Sequence, residues 1–586
     1  MARVAVVGPA GRVVRSRRLG LLALALLVGL GAGLGAVLFR LMIENLTRLF
    51  TGYTDYAAVP GRAHGYLPGV GGWFVVLAPV LAGAVYGPLV QRFAREARGH
   101  GVPEVMLAVA RNGGRIRPQV AAVKAAASAL CIAGGGSVGR EGPIVQIGSA
   151  LGSSLAQLCR LDERRIRLLV ACGAAGGISA TFNAPLAGVF FAMELILRQW
   201  AADSFGMVVV ASVTSSVVAR GLLGDVPFLP LPPFHVEHLV EYPLFALLGL
   251  VAGLTGVGFS RVLYLVEDLC DWAWRGPEWL RPMVGGVVLG GLLLVLPQMY
   301  GVGYPVLGRA VDGGYAIAFL LVLLVGKVIA CSLTIGIGGS GGVFAPSLFC
   351  GAMVGAAFGE VVQAVAPSAG GSVGAFALVG MGAVFAGAAR APITAVVMLF
   401  ELTGEYTIIL PLMLAIVLAT GISHLVSHDT VYTRKLLRRD IDIDEPADAR
   451  LARQPLGTVM GPTPPSVVAD TPLREVAALF ASSGAGSLPV LDPDGRYLGV
   501  LSAHEIMDAV ASGEDTDVGS LCSPAESAHV SEPLSRAVRL LDAGAPAVAV
   551  VDDQDTLVGW VGARDVLAAF GGPSVPERPA TAAQVR

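Results

Sequence analysis

Charge is scarce in this 586-residue chain. Asp, Glu, Lys and Arg together make up 14% of it, against roughly 25% in ordinary soluble domains, too little polar surface to cover a soluble protein of this size. Lysine is scarcer still. Lys124, Lys327 and Lys435 are the only three, and the rest of the 41 basic residues are arginine, which reads as the bias of a GC-rich, bacterial coding sequence. The net charge of -2 excludes the basic field that nucleic-acid binding needs. Cysteines number seven, an odd count, with no C-x-x-C, so neither a disulfide framework nor a zinc site is indicated. His64, His100, His235, His238, His424 and His428 show no H-E-x-x-H or comparable spacing, which speaks against a membrane metalloenzyme.

What the chain has in quantity is apolar. Hydrophobic residues are 54%, glycines number 77, and the mean hydropathy is +0.70. These predict an integral membrane protein. The apolar run 19–39 follows Arg12, Arg15, Arg17 and Arg18 and is too long for a signal-peptide core. It is expected to be a first membrane helix, with residues 1–18 held in the cytoplasm by their arginines. Arginine clusters at 92/95/98, 111/115/117, 160/164/165/167 and 434/438/439 favour the cytoplasmic side, each also readable as a solvated loop. Some later apolar stretches are long, such as 242–266 and 317–334. Others are broken by glycine or proline: 143–158, 166–180, 185–197, 374–386 and 392–402. A bilayer span needs about 20 helical residues, so these are expected to be half-spanning, tilted or re-entrant, inside protein or along a wet path.

After Asp440 the texture becomes that of a soluble protein. Two units repeat at an offset of 60 residues: Ser487-Leu-Pro-Val-Leu-Asp492 and Tyr497-Leu-Gly-Val-Leu-Ser502 correspond to Ala547-Val-Ala-Val-Val-Asp552 and Leu557-Val-Gly-Trp-Val-Gly562. Each reads as α-β-β-α, and duplication of this kind means modules that pack together. The expected organisation is a segment 1–18, a membrane domain 19–440, a linker 441–454, paired modules over 455–571 (455–513 and 515–571), and a disordered, Pro/Ala-rich tail 572–586.

Two glycine-dense loops carry the chemistry. Gly134-Gly-Gly-Ser-Val-Gly-Arg-Glu-Gly-Pro143 and Gly336-Ile-Gly-Gly-Ser-Gly-Gly-Val-Phe-Ala-Pro346 each lead into an apolar helix. The first formally satisfies G-x-G-x-x-G, but a dinucleotide site needs a preceding strand in a βαβ unit. Close helix packing explains glycines spread along a helix, not two clusters that each end in proline. Two helix N-termini aimed at one point form a site for a small anion without a buried cation. Glu141 sits inside the first loop. An intramembrane carboxylate costs about 2.5–3.5 kcal/mol on insertion scales and is a functional candidate by default. Ionised, it competes with an anion; protonated, it vacates the site.

Gly139-Arg-Glu-Gly-Pro143 and Gly342-Val-Phe-Ala-Pro346 resemble the two signature loops of the CLC chloride channel and proton/chloride exchanger family. That family's third loop, usually Gly-Ser-Gly-Ile-Pro, is similar to Gly99-His-Gly-Val-Pro103, and its anion-binding tyrosine falls on Tyr432. The paired modules resemble CBS domains. The resemblance implies an all-α polytopic membrane domain of two inverted halves with broken, half-spanning helices, followed by an α+β CBS pair. It also implies a transporter rather than an enzyme, a homodimer in membrane lipid with one anion path per subunit, and a bacterial inner membrane with both termini cytoplasmic. Chloride, other small anions and protons are the implied partners.

Carried over by residue, Glu141 is the gate. The anion-binding set is Gly99, His100, Gly101, Val102, Pro103, Gly139, Arg140, Gly142, Pro143, Gly342, Val343, Phe344, Ala345, Pro346 and Tyr432. Within it, the amides of Val343 and Phe344 and the Tyr432 hydroxyl hold chloride. Two departures stand out. His100 replaces the usual serine, and Leu195 occupies the position of the family's internal proton-accepting glutamate, with Glu194 one place earlier. They tilt the expectation towards channel-like or weakly coupled chloride conduction gated by Glu141, with stoichiometric proton/chloride antiport as the alternative. A CBS-containing cation transporter is a weaker reading, because Glu104, Glu141, Glu194, Glu360 and Glu401 are dispersed. No cofactor is required. For the CBS pair, Ser502 and Asp565 keep only parts of the nucleotide-binding pattern, leaving adenine-nucleotide binding and a purely structural role both open.

Overall fold

A computed structural model describes residues 18–224, 241–367, 371–404, 406–444, 449, 453–483, 486–512, 517–523 and 525–569. The expectations for residues 1–17, half of the linker (445–448 and 450–452) and the 572–586 tail lie outside the described residues. The chain divides into two compact units, Met1–Ile443 and Asp444–Arg586.

The first unit is helical. Its first half holds α1 (Arg18–Thr51), α2 (Phe74–Phe93), α3 (Val102–Arg111), α4 (Gln119–Ala133), α5 (Glu141–Leu158), α6 (Glu163–Phe182), α7 (Pro185–Phe191, continued by a wider turn over Ala192–Leu197) and α8 (Ala202–Leu223). The second holds α9 (Glu241–Ala273), α10 (Arg281–Val295), α11 (Tyr304–Val311), α12 (Ile317–Gly336), α13 (Phe344–Val365), α14 (Val373–Ala389), α15 (Pro392–Thr403), α16 (Ile409–Val426) and α17 (Thr433–Leu437). Among the described residues, eight helices (α1, α2, α6, α8, α9, α12, α13 and α16) are long and apolar enough to cross a membrane.

One expectation is corrected here. The stretch 166–180 is part of a full 20-residue helix, α6, because its first turn runs through Glu163 and the arginines that the apolar window left out. α14, by contrast, stays short and is buried along its whole length.

The two halves repeat one design. α6 and α14 end at Asn183 and Arg390, both left-handed with φ of 58° and 52°, a conformation that stops a helix. Pro185 and Pro392 then start α7 and α15, where a missing N–H costs nothing. α5 packs on α6, and α13 on α14, at glycine contacts: an added Cβ would lie 2.1 Å from the Gly173 carbonyl at Gly148 and 2.4 Å from the Gly380 carbonyl at Gly351.

The short helices close each other's ends. Glu401 in α15 accepts from the amides of Leu186 (2.9 Å) and Ala187 (2.7 Å) in α7. Glu194, after α7, accepts from the amides of Ile393 (3.2 Å) and Thr394 (2.8 Å) and from the Thr394 hydroxyl (2.6 Å) in α15. Each carboxylate thus satisfies the open N-terminal amides of the partner helix.

The second unit contains two three-stranded sheets. In the first, β1 (Val467–Val468) runs parallel to β2 (Ser487–Leu491), which pairs antiparallel with β3 (Tyr497–Ser502). In the second, β4 (Ala528–His529), β5 (Val548–Val551) and β6 (Leu557–Val561) repeat that order. α18 (Leu473–Ser483) and α19 (Ala503–Ser512) accompany the first sheet, α21 (Leu534–Asp542) and α22 (Ala563–Ala569) the second, and α20 (Val518–Leu521) lies between the repeats. Val500, Ala547, Ala549 and Trp560 form a common buried cluster that joins the repeats. The short β1 and β4 are additions to the α-β-β-α pattern.

Candidate anion and proton site

Three loops meet at the middle of the first unit. Gly139 and Gly342 exchange backbone hydrogen bonds of 2.7 and 2.6 Å, which brings the start of α5 against the start of α13. An added Cβ at Gly342 would lie only 2.7 Å from the Gly142 amide nitrogen. The third loop joins from α3: the Gly99 amide donates to the Gly339 carbonyl at 3.0 Å, and the Gly341 amide to the Gly99 carbonyl at 3.3 Å. Gly142 is required by this fit, since a Cβ there would sit 2.0 Å from the His100 carbonyl oxygen. N-terminal amides of α5 and α13, which have no carbonyl of their own helix to bond, converge here, with a macrodipole behind each.

Side chains surround that point. Glu141, Val343, Phe344 and Tyr432 are each 1–2% exposed. The Tyr432 ring is held at the start of α17, where its own amide donates to the Thr430 hydroxyl and the Val431 amide donates to the Ala388 carbonyl at 2.9 Å. Phe344 packs against Phe182 and Phe385, with centroids 5.4 and 4.5 Å apart. His100 is fully buried, and neither ring nitrogen has a hydrogen-bond partner. Glu141 Oε1 accepts from the Tyr304 hydroxyl, over whose ring the Arg140 guanidinium stands at 5.4 Å; Glu141 Oε2 is unpartnered.

Two cavities approach from opposite ends of α2. One of about 500 Å³ is lined by Arg40, Glu44, Tyr56, Arg140 and Tyr304, and Tyr56 packs on Phe74 at the start of α2. The other, about 250 Å³, is lined by Arg95, Arg98, Gly99, Lys435 and Arg439, just past the end of α2. A 20-residue helix is roughly 30 Å long, so Glu141 and the converging loops lie between two entrances.

Sequence reasoning missed several of these parts. Lys124 donates to the carbonyls of Ala97 (2.9 Å) and Gly99 (2.7 Å). Lys327 does the same for Gly301 and Val302 at 3.2 and 2.8 Å, and for the Ser137 hydroxyl at 2.9 Å. Tyr304 was also missed, although Gly301-Val-Gly-Tyr-Pro305 repeats the Gly-x-Gly-x-Pro spacing of 99–103, a signal legible beforehand. Of the residues linked to proton transfer, Glu194 caps α15, and Leu195 is buried at 5% exposure. Arg438 and Arg439 pair with Glu267 and Glu104, so that cluster is more than a solvated loop.

In the second unit, the Gly562 amide donates to Asp565 at 2.8 Å, and the Ser502 amide to Glu505 at 2.7 Å. The Ser523 hydroxyl also donates to Glu505, at 2.5 Å. Burial alone would raise the Glu505 carboxyl, but the hydrogen bonds from Ser523 and Ser502 outweigh it and hold it below the ordinary range.

Residues 82–424 match the family model described as voltage gated chloride channel. This chain belongs to the CLC family. Residues 456–512 and 518–572 each match the CBS domain model. Among CLC relatives, the chain is 33% identical to a Ralstonia nicotianae protein provisionally named a ClcB-like chloride channel protein, over 72% of this chain and 98% of that one. It is 35% identical to the H(+)/Cl(-) exchange transporter ClcA of Vibrio parahaemolyticus, over 61% and 78%. A solved slow cyanobacterial Cl-/H+ antiporter superposes with a TM-score of 0.65 at 25% identity, covering 72% of this chain and 98% of that one. The protein is therefore a CLC-type chloride transporter, of a transporter family and not an enzyme family.

Proposed function

We propose that this CLC protein exchanges chloride for protons. The observation that carries the reading is the set of ClcA relatives named for H(+)/Cl(-) exchange, which outweighs the channel-like conduction expected from Leu195. The site chemistry fits it. Chloride is held by amides of the 139–143 and 342–346 loops, Val343 and Phe344 foremost, with the Tyr432 hydroxyl and the 99–103 loop completing the shell. Ionised Glu141 competes for the same amides, and protonation removes that competition. The test is the reversal potential of chloride current in liposomes under an imposed pH gradient. Exchange moves it away from the chloride equilibrium value; no movement supports the channel reading. Glu141→Gln is expected to abolish the pH dependence of chloride flux.

The assembly we infer is a homodimer. α7 and α15 are too short to span, yet Leu186 and Ile393 beside their carboxylate caps are 46% and 42% exposed in the single chain. Short helix ends at membrane depth need protein cover, and a second copy supplies it. The arginines around the smaller cavity favour the cytoplasmic face of a bacterial inner membrane there. For the CBS pair, the closure of Glu505 and Asp565 onto backbone amides favours a structural module over an adenine-nucleotide site. Saturable heat on titration with ATP would reverse that choice.

A further inference from the structure

We propose that His100 hands protons to Glu141 in place of the carboxylate that Leu195 lacks; this rests on the exchange reading above. The neighbouring carboxylate is not free for the task. Both oxygens of Glu194 are taken up by the start of α15.

His100 is in the right place and chemically incomplete. It directly follows Gly99, which lines the smaller cavity, and its carbonyl abuts Gly142, next to Glu141. Three buried side chains along this line have polar atoms with no protein partner: both ring nitrogens of His100, Gln146 Oε1 and Glu141 Oε2. Gln146 adjoins the same loop, since an added Cβ at Gly101 would lie 3.1 Å from its Oε1. Buried polar atoms without protein partners are met by internal water or by an ion. A row of them between a cavity and a carboxylate marks a wet path.

Imidazole suits such a path, because its neutral form has a donor nitrogen and an acceptor nitrogen on opposite sides of the ring. The acceptor takes a proton from water on the cavity side. The other nitrogen releases its proton to water that passes it to Glu141, and a tautomer change resets the ring. One proton enters and one leaves. The groups facing the ring are Lys124 from α4 and Lys435 from α17. Glu104 of α3 lies 4.0 Å from Lys435 and is shared with Arg439. Tyr264 of α9 stands 6.1 Å from the ring, beneath Arg434 and Arg438, and its hydroxyl is committed to the Val431 carbonyl. Against these cations, chloride in the adjoining site offsets the transient imidazolium, which ties proton passage to anion occupancy.

The full chain in liposomes with a chloride gradient gives the test, with proton uptake read by an internal pH dye and chloride efflux by electrode. Wild type is expected to move protons, and His100→Ser to lower the proton-to-chloride ratio about tenfold or more, whatever happens to chloride flux itself. Should His100→Ser fail to reconstitute, Gln146→Leu is measured instead, with the same drop expected. Absent proton movement in wild type overturns the exchange reading. A wild-type ratio retained in the variant overturns the histidine relay alone.

Discussion

The Tyr304 hydroxyl, at the wall of the larger cavity, donates to Glu141 Oε1 and restrains the carboxyl that is proposed to compete with chloride for the helix-end amides. Tyr304→Phe frees that carboxylate to occupy the anion site. Apparent chloride affinity at neutral pH is then expected to weaken about tenfold, the value of a hydrogen bond to a charged group, and calorimetry should find no such loss in a Glu141→Gln background. In the proposed chloride shell, Tyr432→Ala removes one donor while the helix-end amides remain, so calorimetric affinity is expected to fall while the fold persists. Glu141 and the glycine loops were legible because their residue types repeat as a local pattern. Tyr304 lies 163 residues from its partner, and no local pattern reports that distance. The lysines teach a related lesson. In a chain that otherwise writes arginine, Lys124, Lys327 and Lys435 are all buried, and Lys124 and Lys327 each tie a glycine loop through several carbonyls, a task for a compact ammonium with three donors.

At the scale of elements, helix positions were readable from apolar runs, while their ends were set by polar first turns and distant caps. The Glu194 and Glu401 caps show this: each acid looks like a stray membrane charge until the partner helix is in place. Glu401→Ala leaves the Leu186 and Ala187 amides open and is expected to cost about 2 kcal/mol or more, seen as a lower melting temperature in detergent. In the CBS pair, the Glu505 carboxyl lies below its ordinary range. Its contribution to stability is present above the unfolded-state value and disappears as pH falls through the folded one. Melting of the second unit should therefore decline below about pH 4, and Glu505→Gln should flatten that decline while lowering stability at neutral pH.

At the scale of the whole molecule, composition alone reported the membrane, and the 60-residue repeat reported the paired modules. The relation between the membrane halves was harder to read, because it rests on matching breaks at Asn183 and Arg390 in otherwise different apolar helices. If a second copy covers α7 and α15, joint Leu186→Trp and Ile393→Trp substitution should reduce the cross-linked dimer fraction and leave the monomer folded. The reciprocal caps also have a consequence for synthesis. A ribosome completes the first half while the acceptor for the Leu186 amide is still 215 residues away. That half therefore enters the bilayer with an open helix end, and Glu194 waits equally for a helix not yet made. Neither half can mature ahead of the other, so a stalled or truncated chain exposes a polar lesion that membrane quality control can recognise.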